Sequence, residues 1–352
     1  MKALVYQGTK DLRLESVPDP VPEPSQVRLR VDYCGICATD IEEYLYGPMF
    51  ISGDTPNPLT GKKMPMITGH EITGTVDRVG ESVSNVAIGD RVVINGVLTC
   101  GECWWCSNGV EVQCPSMGAV GFAIDGGLAE YLVWPASQMI SLPDNVSSQE
   151  AALVEPASVA LQAVRRSRMK PDERVAILGV GTIGLLAVQA AKSMGGRVFA
   201  IDRRQMSLDL ALELGADAAI DASKVDVAQM LQDLTDGRGP DIVIDAAGGE
   251  ETPAQAVEWV RTGGRVVLVA IFTAKPSFDF NSVVGTAKEI IGSIAYERRD
   301  VEEVVRLISG GAIRTAPLIS DTIPLEDVID KGFARMMAPT KDVFRILVSP
   351  SG

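Results

Sequence analysis

Arg174-Val175-Ala176-Ile177-Leu178-Gly179-Val180-Gly181-Thr182-Ile183-Gly184 is a short apolar run that passes directly into a glycine pattern. Residues 174–178 read as a strand, and the apolar stretch 185–194 reads as a helix. A glycine pattern of this kind is weak alone. Between a strand and a helix it carries weight, because glycine lets the backbone approach a pyrophosphate seated on the helix N-terminus. The next strand, 197–201, ends in Asp202, at the distance where an acid can hydrogen-bond the ribose 2′-hydroxyl of NAD. The same charge repels a 2′-phosphate. Arg203 and Arg204 can meet such a phosphate, although a solvated helix start is the plainer reading. Gly179, Gly181, Thr182, Ile183, Gly184, Asp202 and Arg203 are therefore candidate cofactor residues.

Downstream the alternation continues. Strands are expected at 218–220, 241–246, 265–270 and 289–294, with helices between them. With the first two, these make six strands of a doubly wound parallel sheet. Ala246 and Val269 fall at strand C-termini, where this fold holds its cofactor. Past 297 come helices at 301–309 and near 325–336, then a last strand at 343–348. Upstream the character is different. Short strands are expected at 2–6, 12–16, 27–33, 71–79 and 91–97, with Pro18, Pro20, Pro22 and Pro24 as an extended connector. The fold class is thus α/β with two domains. A β-rich domain spans 1–156 and is completed by 297–352, and a dinucleotide-binding domain spans 157–296.

His70 is the single histidine of the chain. A lone histidine is more often structural than a ligand. Its surroundings reverse that expectation. Glu71 follows it, Cys37 lies upstream and Glu155 downstream. One thiolate, one imidazole and one carboxylate make a three-ligand zinc site with an open fourth position. Cys37 and Glu155 would balance the charge of the ion. Thr39 offers a hydroxyl able to carry a proton, and Asp40 can hydrogen-bond behind the ligands; helix capping is the alternative for both. For Glu155 alone the alternative is a glutamate that complements a helix dipole. Ser147-Ser148-Gln149-Glu150 is a capping box, opening a helix that Pro156 is expected to interrupt before it resumes over 157–168.

Cys100, Cys103, Cys106 and Cys114 have the spacing of a closed tetrahedral zinc site, which would staple a loop. A disulfide pair or an iron–sulfur cluster are the alternatives. Cys34 is left over and reads as a small buried residue. The proline-bearing loop 45–61 is long enough to wall a substrate pocket or to make a surface contact.

The net charge is −14 and there is no basic run, which argues against nucleic acid or an anionic membrane as partner. No apolar stretch is long enough to span a bilayer. The first seven residues read as a strand and are too short for a signal sequence. All six cysteines lie between 34 and 114, a clustering that favours metal over disulfides and suggests the cytoplasm.

These motifs together resemble the zinc-dependent medium-chain dehydrogenases over essentially the whole chain. The carriers are Cys-Gly-Ile-Cys-Ala-Thr-Asp at 34–40, Gly-His-Glu at 69–71, the four-cysteine lobe, Gly-Gly-Leu-Ala-Glu-Tyr at 126–131 and the glycine pattern at 179–184. Glu155-Pro156, where other branches carry a cysteine ligand, and the loop 43–62 resemble the polyol and 2,3-butanediol dehydrogenase branch. The resemblance implies a GroES-like catalytic domain split around a Rossmann domain, and a homodimer or homotetramer. It implies two zinc ions per chain, NAD, and a small alcohol or ketone substrate. Catalytic zinc is then expected at Cys37, His70 and Glu155, with Glu71 close by and Thr39 as first proton carrier. One departure stands out. Many relatives carry a histidine three residues after the matched threonine, where this chain has Glu42.

Overall fold

The computed structural model describes residues 1–340 and 342–351. The chain divides into two units. The first comprises Met1–Glu155, Tyr296–Ser309 and the segment from Thr315 onward; the second comprises Pro156–Ala295 and Gly310–Arg314. Each crossing falls one residue earlier than the expected boundary, and five further residues join the second unit.

The first unit is organised around the strand Gln26–Ile36. It pairs antiparallel with Glu71–Val79 and, along its first half, with Tyr131–Pro135; near its end it pairs with Arg345–Ser349. Val27, Leu29 and Val31 alternate into the core, as a half-buried strand requires. Between Val31 and Tyr33 the register slips. One extra residue shifts the side-chain phase, so that Cys34 and Ile36 become the buried positions and Gly35 stands opposite Glu71. That slip sends the end of the strand, and Cys37 after it, toward His70 and Glu71. The terminal strand Arg345–Ser349 completes the sheet from the far end of the chain, alongside Ile319–Pro324. A single core of aliphatic residues with Trp134 and Phe333 lies against it.

The second unit holds six parallel strands in the order Ala218–Asp221, Arg197–Asp202, Arg174–Leu178, Ile242–Asp245, Arg265–Leu268, Glu289–Gly292. The order reverses between Arg174–Leu178 and Ile242–Asp245, which is where such sheets open a ligand crevice. The central strands are buried on both faces, and this is why they read as continuous apolar runs.

Two local expectations change. Pro156 does not interrupt a helix. It lies in the first turn of Val154–Arg166, where a missing N–H costs nothing because the first four have no intrahelical acceptor. The helix expected near 325–336 is a chain of short turns, Leu325–Asp327, Val328–Phe333 and Ala334–Met337, the middle one a π-helix with buried Gly332 in it.

Candidate active site

Cys37 occupies the N-cap of the helix Ala38–Tyr46. Its backbone N–H donates to the Asp40 carboxylate at 2.9 Å. The other Asp40 oxygen lies 3.4 Å from Nδ1 of His70. One buried carboxylate thus stands beside both the N-terminus of the helix and the imidazole. Gly69 precedes the histidine at φ +95°, and a Cβ there would lie 2.7 Å from Cys34 Sγ. Both the backbone angle and the close approach demand glycine.

Glu71 is fully buried, and a Cβ on Gly35 would collide with its Oε2. Its counter-charge is Arg345, 3.1 Å away and equally buried, whose Nη1 also donates to the Ile36 carbonyl at 2.6 Å. Burial raises the Glu71 pKa, with Arg345 and His70 acting against it. For His70, burial opposes the charged ring, but Asp40 and Cys37 outweigh it and hold the pKa well above its ordinary value.

Cys37, His70 and Glu71 each offer a ligand atom within 4.8 Å of the others. Their donors are sulfur, nitrogen and oxygen, the set that suits zinc. His70 Nδ1, Asp40 Oδ1 and both Glu71 oxygens are buried without a hydrogen bond. Four acidic groups, Cys37, Asp40, Glu71 and Glu155, face one guanidinium. A bound dication relieves that imbalance, so the residues fit the metal.

Glu155 is expected as the carboxylate ligand with Glu71 close by, and Glu71 is the one in the close set. Glu71 belongs to the close set because strand pairing carries it there. Glu155, in the first turn of Val154–Arg166, stands outside it. The Tyr296 hydroxyl donates to its carboxylate. Burial lifts the Glu155 pKa to about 7, with Glu71 adding to the rise and His70 and Arg345 opposing it.

Thr39 is half-buried, its hydroxyl 3.7 Å from Cys37 Sγ. Glu42 lies one turn further on the same helix, its carboxyl raised by burial. Three neighbours went unread in the sequence. Phe122 lies against His70 in a tilted contact with ring centres 4.9 Å apart, and Phe50 of the long loop meets Phe122 at 5.7 Å. Tyr296 and Arg345 are the others. A lone arginine in the apolar run 343–348 was a signal for Arg345; nothing marked Phe122 or Tyr296.

In the four-cysteine lobe, Sγ separations are 3.5 Å for Cys103–Cys106, 3.6 Å for Cys114–Cys100 and 4.0 Å for Cys100–Cys106. Four sulfurs about 2.3 Å from one tetrahedral zinc stand about 3.8 Å apart. Backbone N–H groups of Glu102 and Cys103 bring the Cys100 thiol down to about 7. The N–H of Cys106 favours a Cys103 thiolate, but burial and the three neighbouring thiols push it up to about 11. The four cannot all ionise without a cation among them. No disulfide joins any of the six cysteines.

In the second unit, Gly181 caps the helix Thr182–Ser193 with no side chain at the cap. A Cβ on Gly181 would meet only Arg204, at 3.7 Å, so the turn leaves a cradle open. Gly179, at φ +85°, and Gly184 are closed in by Ala247 and by the Gly179 carbonyl. Asp202 accepts from the Val180 N–H at 3.0 Å and from the Arg203 N–H at 2.7 Å, and Arg204 Nε lies 3.3 Å away. Ile183 and Thr182 are half-buried in the first helical turn, and Ala246 and Val269 are half-buried at strand ends. These positions fit a dinucleotide laid across the crevice.

Residues 23–144 match the family described as alcohol dehydrogenase GroES-like domain, and residues 182–310 match zinc-binding dehydrogenase. The chain is 36% identical over 356 residues to (R,R)-butanediol dehydrogenase of Bacillus subtilis (strain 168), covering 100% of both. The crystal structure of 2R,3R-butanediol dehydrogenase from Bacillus subtilis superposes with a TM-score of 0.91 at 34% identity, covering 99% of each chain. That of a zinc-binding dehydrogenase from Sinorhizobium meliloti 1021, bound to NADP, superposes with a TM-score of 0.89 at 30% identity, covering 99% of each. The chain belongs to the zinc-dependent medium-chain dehydrogenases, in their polyol and butanediol dehydrogenase branch.

Proposed function

We propose that this zinc-dependent alcohol and diol oxidoreductase acts on small secondary alcohols and vicinal diols of the 2,3-butanediol and acetoin kind, with NAD as hydride acceptor. The observation that carries the reading is the Cys37, His70 and Glu71 donor set under a wall made by Phe122 and Phe50. Cys37, His70 and Glu71 would hold the catalytic zinc, with Glu155 as a further carboxylate outside that close set, and the four-cysteine lobe would hold a second. Zinc bound there supplies Lewis-acid polarisation of an alcohol or carbonyl oxygen. The protein's own groups do the rest. Asp40 fixes the imidazole, Arg345 holds the Glu71 charge in place, and Thr39 receives the substrate hydroxyl proton. The apolar ring of Phe122 keeps water from the reacting carbon. Gly179, Gly181, Thr182, Ile183, Gly184, Asp202, Arg203, Ala246 and Val269 would hold a dinucleotide, whose nicotinamide would supply the hydride acceptor.

A panel of diols, polyols and cyclic alcohols with NAD and NADP, followed at the nicotinamide absorbance, tests this. Preference for sorbitol over 2,3-butanediol would move the enzyme to the sugar-alcohol side of its family. Asp202→Gly should shift preference toward NADP, since it removes charge repulsion beside Arg203 and Arg204. A wild type that already prefers NADP would overturn the role given to Asp202.

We also propose a homodimer or homotetramer. The edge strand Glu289–Gly292 has no strand partner on one side among the described residues, with Ile290 on it 37% exposed and Ile294, just past its end, 48% exposed. Light scattering of the purified protein decides between these and a monomer. No helix among the described residues is long and apolar enough to cross a membrane. The clustered free thiols support a cytoplasmic location.

A further inference from the structure

Glu43 is a carboxylate with 1% exposure, and it does not belong to the metal cluster. It lies in the last turn of Ala38–Tyr46, the helix that begins at Cys37. No basic side chain pairs with it among the described residues. Its two oxygens accept instead from three consecutive backbone N–H groups, Met49 at 2.9 Å, Phe50 at 2.8 Å and Ile51 at 3.4 Å. A carboxylate buried at this depth is costly unless its lone pairs are satisfied, so these amides are the reason it is tolerated. The same amides fix the start of the long loop. Ile51 is buried with Tyr6, Met66 and Phe122 in one small cluster, and Phe50 meets Phe122 in a tilted ring contact, as Phe122 does His70. A Cβ on Gly47 would collide first with the Glu43 backbone carbonyl and then with Glu43 Oε1 and the Tyr6 hydroxyl, so the turn into the loop packs tightly against this residue as well.

We infer that Glu43 is a positioning residue for substrate selection: by gripping the amides of Met49, Phe50 and Ile51 it sets the Phe50–Phe122 wall over His70 and restricts the site to alcohols with short apolar substituents. The inference rests on the alcohol-oxidising site proposed above. The helix that starts at a metal ligand ends at the group that sets the wall, so ligand and wall are placed from one rigid element. Glutamate suits the role because it offers two oxygens to three donors. Glutamine keeps the oxygen shared by Met49 and Ile51 but turns an amide NH₂ toward the Phe50 N–H.

The test compares Glu43→Ala, Glu43→Gln and Phe50→Ala as zinc-loaded enzymes. Steady-state kinetics use 2,3-butanediol and the bulkier 1-phenylethanol, with zinc content and the KM for NAD recorded alongside. Glu43→Ala is expected to change the ratio of kcat/KM for the two alcohols by roughly tenfold in favour of the bulkier one, the usual scale for a change of pocket shape. The change should lie mainly in alcohol KM, with zinc content and NAD KM unaltered. Phe50→Ala should give the same shift, and the double variant no more than either, because both act through one wall. Glu43→Gln should recover part of the wild-type ratio. Hydrogen exchange at the Met49, Phe50 and Ile51 amides should be faster in both Glu43 variants. Unchanged exchange there, or an unchanged substrate ratio with a uniformly lower rate, would overturn the inference. If the wild type oxidises no alcohol, the functional reading falls, while amide exchange still decides whether Glu43 orders the wall. If Glu43→Ala fails to fold, Glu43→Gln and Phe50→Ala carry the comparison.

Discussion

At the scale of single residues, the site is defined by buried charges that hold one another in place. Arg345 and Glu71 are 2% and 0% exposed, and the pair joins the first and last segments of the first unit. Breaking such a pair by removing one partner leaves an uncompensated charge, and about 3–5 kcal/mol is the usual loss. Arg345→Ala should lower the denaturation midpoint of the zinc-free protein by that order. Arg345→Lys should recover little, since a single ammonium cannot serve both Glu71 and the Ile36 carbonyl. Unaltered stability in both variants would mean that Glu71 does not need its counter-charge. His70 is more decisive for function, since no second histidine can replace it. His70→Ala should abolish turnover and leave dinucleotide binding nearly intact, because the dinucleotide residues lie in the other unit. Thr39→Ala should keep zinc and lower the rate by about 10²–10⁴-fold, with Thr39→Ser recovering most of it. A fully active His70→Ala enzyme would remove the metal mechanism. An unimpaired Thr39→Ala would move the proton path, with Glu42 next along the helix.

At the scale of elements, the four-cysteine lobe has little packing of its own. The helix Trp104–Ser107 has four residues and none is buried. An element so short has no stability of its own, so zinc must close the loop. Metal analysis should find two zinc ions per chain, and Cys103→Ser should lose one of them along with thermal stability. One zinc in the freshly purified wild type would count against two sites. These elements also show what a sequence can and cannot disclose. The glycine turn at 179–184 and the cysteine spacing were legible because each encodes a local geometry. The central strands of the second unit were legible because burial on both faces leaves unbroken apolar runs. The register slip in Gln26–Ile36 was not, since a bulge depends on the partner strand. Because the slip was hidden, so was the pairing of Gly35 with Glu71. Pro156 misled for a related reason: it reads as a break until the helix start is known. Phe122 and Tyr296 come from segments with no periodicity, and only tertiary placement reveals them.

At the scale of the molecule, acidity has a consequence of its own. The net charge is −14, so at neutral pH carboxylates repel unless each is locally compensated. In the second unit several are. Lys224 leads the groups that bring the Asp221 carboxyl down to about 2 from its ordinary 3.8, and the Ser223 hydroxyl and N–H add to it. Burial works against Asp241 and Asp217, but the Arg174 N–H and the Arg261 guanidinium lower the first, and Lys192 and the Val198 N–H lower the second. For a carboxyl whose folded pKa lies below its unfolded one, the stabilisation is present above the unfolded value and lost as pH falls through the folded one. All three therefore weaken the second unit on the acid side. For Asp221 the window runs from about 4 down to about 2. Asp245 acts in the opposite direction, because burial raises its pKa above the ordinary value and its neutral form is favoured in the folded chain. Asp221→Asn isolates one contribution, since asparagine can still accept from Ser223 while losing the charge that pairs with Lys224 at 2.7 Å. Urea unfolding at a series of pH values should find the variant less stable than wild type at neutral pH. The gap should narrow below pH 4 and close near pH 2, where the wild-type carboxyl is also neutral. A gap that stays constant across that range would place the effect of Asp221 in its hydrogen bonds and not in its charge.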